Sequence, residues 1–218
     1  MKGAFLPAIP AQPPPRPSFP FTDTNALAAI KEAEDFAEQY FGHRPDLRTQ
    51  FVMPETFPWE EKEVIAVYDP GTISNRQAVE QALKSQPKLK RVYEEENLMD
   101  YEDANASGKP TLRFVARSET PTADLMDLSA DEMVATKRTL LDQRGYIIGF
   151  GTYHKVTGGF LEQKTGTRFP ASRLPDGKVA DGGWNRGCTE FCFSRARAGR
   201  RITGIGGRET VECPLRIP

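Results

Sequence analysis

The sequence predicts an α+β protein, with a ferredoxin-like βαββαβ centre between an extended proline-rich N-terminal arm and a glycine-rich C-terminal extension. Three observations predict it. Seven prolines fall within the first twenty residues, Pro7, Pro10, Pro13, Pro14, Pro15, Pro17 and Pro20. Two capping boxes, Ser74 to Gln77 and Ser129 to Glu132, open helices among short β-branched runs. After Val156 the chain carries eleven glycines and four prolines, a density that favours hairpins and turns. These shifts divide the chain into residues 1–23 (arm), 24–59 (a helix and an extended segment), 60–155 (the α+β domain) and 156–218 (the extension).

Each proline ring fixes φ and removes a backbone donor, so Met1–Pro20 is excluded from helix and central strand and reads as polyproline II. Phe5, Leu6, Ile9, Phe19 and Phe21 are spaced along it as apolar anchors for a partner surface. Thr24–Phe41 reads as a helix, with Ala26, Ile30, Ala33, Ala37 and Tyr40 at three- and four-residue spacing and Gly42 as its stop. Arg44–Trp59 is a second extended segment, holding Pro45, Pro54 and Pro58 with Phe51, Phe57 and Trp59.

Glu63–Tyr68 is β-branched and bounded by Asp69-Pro70-Gly71, which predicts a strand. The helix from Ser74 to Gln86 follows, with Val79, Ala82 and Leu83 as its buried stripe. Leu89–Glu95 reads as a weaker strand and Thr111–Arg117 as a strand with Leu112, Phe114 and Ala116 on one face. A helix from Ser129 through Leu141 ends at Gly145 as its left-handed C′ residue, and Tyr146–Tyr153 is the closing strand. In order these elements give β-α-β-β-α-β. Within the extension, Gly159–Leu161, Glu190–Ser194, Arg200–Gly204 and Glu209–Cys213 read as short strands.

Composition excludes several classes. The net charge of −1 gives no global field toward nucleic acid or anionic lipid, so nucleic acid is disfavoured as a partner. No apolar run approaches the roughly 18 residues of a membrane span. The start of the chain, one lysine and a short apolar stretch broken by proline, is unlike a signal peptide. An odd three cysteines argue against a disulfide scaffold and for an intracellular, reducing compartment such as cytoplasm or plastid stroma.

Chemistry-bearing residues are sparse. Cys188, Cys192 and Cys213 with His43 and His154 lack the paired knuckles of a zinc site, so the cysteines read as buried thiols and no metal is expected. No nucleophile–base motif is present, and no catalytic residue is assigned. Arg195, Arg197, Arg200, Arg201 and Arg208 fall within fourteen residues. They form either a cationic surface for an acidic protein partner, phosphate or, less favoured at this net charge, nucleic acid, or a solvated hairpin balanced by Glu190, Glu209 and Glu212.

Two stretches resemble the phycobilisome linker polypeptides. Ile73-Ser74-x-Arg76-x-x-Val79 with Lys84-Ser85 and Arg91-Val92-Tyr93 is similar to that family's Ser-x-Arg-x-x-Val helix and the basic-aromatic pair after it. Ser129–Phe150, where a capped helix runs into Arg144-Gly145-Tyr146-Ile147-Ile148-Gly149-Phe150, is similar to the smaller C-terminal linker module. The resemblance implies light-harvesting assembly, with the three cysteines as thioether sites for a bilin chromophore.

The expected function is therefore a non-enzymatic structural or linker protein joining protein subunits of a large assembly. The alternatives are a small-ligand protein or enzyme using the sheet face near Arg113, Tyr146 or His154, and a virion or other scaffold component.

Overall fold

The three- and four-residue apolar spacing after the arm becomes α1 (Asp23–Phe41), whose Ala26, Ile30, Ala33 and Ala37 are buried, and Gly42 ends it at φ +79°. This computed structural model describes residues 18–21, 23–59, 64–85, 91–94, 98–100, 108–162, 164–185 and 190–216. Before α1, β1 (Phe19–Pro20) pairs antiparallel with β2 (Thr56–Phe57). Between α1 and β2 lies a single turn, α2 (Leu47–Gln50), capped by Asp46 accepting from the Thr49 amide at 3.2 Å.

Val64–Asp69 forms β3, and the Ser74–Gln77 capping box opens α3 (Asn75–Ser85) with both reciprocal bonds in place, at 2.8 and 3.2 Å. Arg91–Glu94 is β4 and Thr111–Ala116 is β5. The second capping box opens α4 (Ala130–Ala135). Then follow α5 (Gln143–Thr157), β6 (Gly166–Arg173), β7 (Lys178–Asn185), β8 (Glu190–Arg197), β9 (Ile205–Gly206) and β10 (Thr210–Cys213).

The strands make a two-stranded ribbon (β1-β2), a three-stranded sheet (β10-β5-β3) and a five-stranded sheet (β4-β8-β7-β6-β9). In the three-stranded sheet both faces are covered. Val64, Ala66, Leu112, Phe114 and Cys213 pack with Ala29, Ile30 and Ala33 of α1 and with Phe57. On the other face, Ile65, Val67 and Val115 join Ile147 and Phe150 of α5, and Phe169, Ala180 and Phe193 bring the five-stranded sheet into the same core. Residues after 156 thus supply four of the five strands of a sheet that joins the central core.

The class is mixed α+β, as expected, but Tyr146–Tyr153 is helix and not the closing strand. Every residue from Gln143 to Tyr153 is buried, polar Gln143, Arg144 and Thr152 included, so this stretch of α5 has no solvent face to give its sequence a one-sided periodicity. Asp142 caps it by accepting from the Gly145 amide at 2.8 Å, and Gly158 ends it at φ +68°. Gly145 therefore sits in the first turn, and Gly158 takes the left-handed role assigned to it. Neighbours approach the glycines of this helix closely: a Cβ at Gly149 would lie 3.1 Å from Val67 Cγ2, and one at Gly151 would lie 2.8 Å from Phe36 Cζ, where something must shift.

Two further expectations are corrected. α4 stops at Ala135, because Lys137 turns left-handed at φ +57°, and Leu140 bridges to Glu209 in extended form. β4 pairs in parallel with β8, so it leaves the sheet that holds β3 and β5, and the described strands do not form the βαββαβ order. The linker-like stretch Arg144–Phe150 is likewise helical. Gly159–Leu161 and Arg200–Gly204 are turns and loop, whereas Glu190–Ser194 and Glu209–Cys213 fall on β8 and β10.

Candidate functional site

The end of the arm is fastened to its own domain. The Phe21 amide donates to the Glu55 carbonyl at 2.8 Å, and Phe19 stands opposite Phe57 in the ribbon. The Phe21 ring lies 5.4 Å from Phe57 and meets Phe114 edge-on at 6.2 Å. Pro20 fits here because an edge ribbon tolerates a residue without an N–H. Phe19 and Phe21 are half-buried in this contact within the chain. Phe5, Leu6 and Ile9 lie outside the described residues.

Beside this anchorage runs a cleft of about 210 Å³, lined among others by Trp59, Ser118, Thr120, Thr122, Arg208 and Glu209. Trp59 stacks on Phe57 with centroids 6.2 Å apart and planes 23° from parallel, which holds the indole at the rim. The Ser118 hydroxyl accepts from the Thr120 amide at 3.2 Å, and the Thr122 hydroxyl accepts from the Glu209 amide at 2.9 Å. Each such hydroxyl keeps a proton to donate, although Ser118 and Thr120 share one between them at 3.2 Å.

Arg208 ties the cleft to a buried centre. Its Nε donates to Glu162 at 2.7 Å and its Nη2 to the Ser118 carbonyl at 3.0 Å. Glu162 is 0 % exposed and also accepts from the Tyr146 hydroxyl at 3.1 Å and from the Thr167 hydroxyl. Burial raises the Glu162 carboxyl above the usual range despite the Arg208 charge, and raises the Tyr146 phenol well above its own.

Three other buried arginine–carboxylate pairs frame the core. Arg113 reaches Asp142 at 2.5 Å, Arg144 reaches Asp69 at 2.7 Å, and Arg168 forks onto Asp181 at 2.8 and 3.1 Å. Tyr146 and Arg113, expected near a ligand on an open sheet face, are thus inside. His154 is apart from both: its ring stacks on Phe160 at 4.7 Å and its Nδ1 contacts the Gly159 carbonyl at 2.8 Å. The structure brings Tyr146 to a glutamate and an arginine, but in a place closed to substrate.

The arginine cluster is divided. Arg195 lies 3.5 Å from Asp176, Arg201 forks onto Glu132, and Arg208 belongs to the buried centre. Arg197 and Arg200 are exposed. Glu132 is held down at about 2 by Arg201 and the Ser129 donors.

Cys213 is buried in the sheet, and burial pushes its thiol up to about 12, with Glu212 adding to the shift. A thiol so suppressed is a poor nucleophile toward a bilin. Cys192 is half-buried on β8, and Cys188 lies outside the described residues. No cluster of three metal-ligating side chains occurs among the described residues.

Sequence reasoning missed the cleft and Glu162. The run Ser118-Glu119-Thr120-Pro121-Thr122, hydroxyls around a proline just past a strand, was the available signal for a shaped loop. Glu162 had none, because its role depends on a backbone at φ +59° and on Arg208, which is 46 residues away. Comparison of the chain with protein-family models, with curated proteins and with solved structures finds no match.

Proposed function

We propose that this protein is a non-enzymatic structural component that joins protein subunits of a larger assembly, using its proline-rich arm as the docking element. The observation that carries the reading is the fastening of the arm's base by the Phe21 amide and ring. A segment fixed at one end and rich in proline loses little entropy when its remaining anchors, Phe5, Leu6 and Ile9, meet a partner. The rival, a ligand site on the sheet face, is disfavoured by the burial of Arg113 and Tyr146 in ionic and hydrogen-bonded clusters. No helix among the described residues is long and apolar enough to cross a membrane.

The test is native mass measurement of the tagged full chain from its own cells, beside a chain lacking residues 1–17. The proposal expects a high-mass complex of fixed stoichiometry for the full chain and its loss on truncation, with the circular dichroism of the two purified proteins alike. A monomer in both cases overturns it. A light-harvesting assembly is the narrower form of the proposal, and visible absorbance of the native complex tests that form.

A further inference from the structure

Arg208 is 3 % exposed and lines the cleft beside Trp59, yet only part of its donor fork is used. Nε donates to Glu162 at 2.7 Å and Nη2 to the Ser118 carbonyl at 3.0 Å, whereas Nη1 makes no hydrogen bond to any described residue. A guanidinium fixed at two nitrogens and left with donors on the third is already oriented for an acceptor. Thr122 is held next to it. Its amide donates to the Gly207 carbonyl at 3.0 Å, and its hydroxyl accepts from the Glu209 amide at 2.9 Å and keeps a proton to donate. The two residues that bracket Arg208 in the chain thus fix Thr122 beside it.

We propose that this cleft binds a small, neutral aromatic carboxamide. The ligand carbonyl accepts from Arg208 Nη1 and from the Thr122 hydroxyl, its amide nitrogen donates to the Glu209 carboxylate, and its ring lies against the Trp59 indole. Charge selects the neutral class. Arg208 is answered by Glu162, and Glu209 lies 3.8 Å from Arg138, so an ion entering the cleft loses hydration without meeting an unanswered charge. Size selects a single ring, because about 210 Å³ is less than a drug-sized ligand fills. The inference goes beyond the assembly reading and does not rest on it.

The test titrates the full chain, labelled with ¹⁵N at its two tryptophans, with benzamide and separately with benzoate. The indole N–H signals are assigned with Trp184→Phe. Benzamide should shift the Trp59 signal saturably and leave the Trp184 signal in place. Thr122→Ala removes one donor and should weaken benzamide about two- to tenfold, the loss of one hydrogen bond. Arg208→Lys keeps a charge for Glu162 but loses the fork, and should weaken it at least as much. Where Arg208→Lys fails to fold, Thr122→Ala carries the test. No saturable shift, equal shifts of both indoles, or unchanged affinity in a folded variant overturns the proposal. Tighter binding of benzoate also overturns it, because the cleft is then an anion site. No readout depends on a partner, so failure here is distinguishable from failure of the complex to form.

Discussion

Asp142 holds the Arg113 guanidinium at 2.5 Å with one carboxylate oxygen and caps α5 at the Gly145 amide with the other, at 2.8 Å. One side chain thus joins β5 to the start of the central helix. Removing one partner of a buried pair costs about 3–5 kcal/mol, because the remaining charge is left without compensation. Asp142→Ala should lose stability on that scale in urea unfolding. Asp142→Asn keeps an acceptor for the Gly145 amide and should lose less. Equal losses in the two variants would remove the cap from this account.

The glycines of α5 make a second prediction. A Cβ at Gly151 falls 2.8 Å from Phe36 Cζ and 3.3 Å from Ser85 Oγ, with α1 and α3 both pressed against the helix. Gly151→Val should destabilise by about 1–3 kcal/mol through overpacking. Adding Phe36→Leu opens the space, so the double variant should be more stable than the sum of the two single losses. Additive losses would place the strain elsewhere.

What the sequence revealed follows from where each element is wetted. α1 has one solvent face, so its alanine stripe declared both its ends and its buried side, and the two capping boxes declared local hydrogen bonds that need no tertiary context. α5 lies between two sheets and buries all its sides, so YIIGFGTY carried composition without period and resembled a strand. The pairing of β4 with β8 joins residues about a hundred apart, and nothing local encodes that choice. The site divides in the same way. The arm announced itself through proline, whereas the Glu162–Arg208 centre is assembled from distant pieces whose types look ordinary in the sequence.

Glu162 gives the chain a distinctive pH response. Its folded pKa is raised above the ordinary 4.5 by burial, so the folded state holds this proton more tightly than the unfolded state. Its contribution to stability is fully present below about 4.5 and is lost as pH rises through the elevated folded value. Glu162→Gln has no such loss, although it leaves Arg208 without its counter-charge. The stability of the variant relative to the parent should therefore climb between pH 4 and 7 in a urea series. A flat difference would show that Glu162 titrates as it does in the unfolded chain.

Cys213 should be silent in the native protein. It is 3 % exposed and its thiol is pushed up to about 12, so almost no thiolate exists at neutral pH. Alkylation with iodoacetamide followed by peptide mapping should leave Cys213 unmodified in the folded chain and label it fully in denaturant. Labelling of native Cys213 at the rate of a free thiol would contradict its burial and reopen it as a thioether site.

The fastening of the arm can be weighed directly. The ring of Phe21 rests on Phe57 and Phe114 and packs against the core there. A fully buried phenylalanine contributes about 1.5–3 kcal/mol, and aromatic pairing adds about 0.5–1.5 kcal/mol. Phe21 is only half-buried, so Phe21→Ala should lower unfolding stability by about 1–2 kcal/mol, read as a shifted urea midpoint with an unchanged slope. The same substitution unfastens the base of the arm. It should therefore weaken entry into the high-mass complex beyond the effect of a Phe5→Ala change, which removes one distal anchor and leaves the base in place. If Phe21→Ala shifts neither the midpoint nor the complex, the ribbon's backbone bonds alone hold the arm, and the ring contact has no part in directing it.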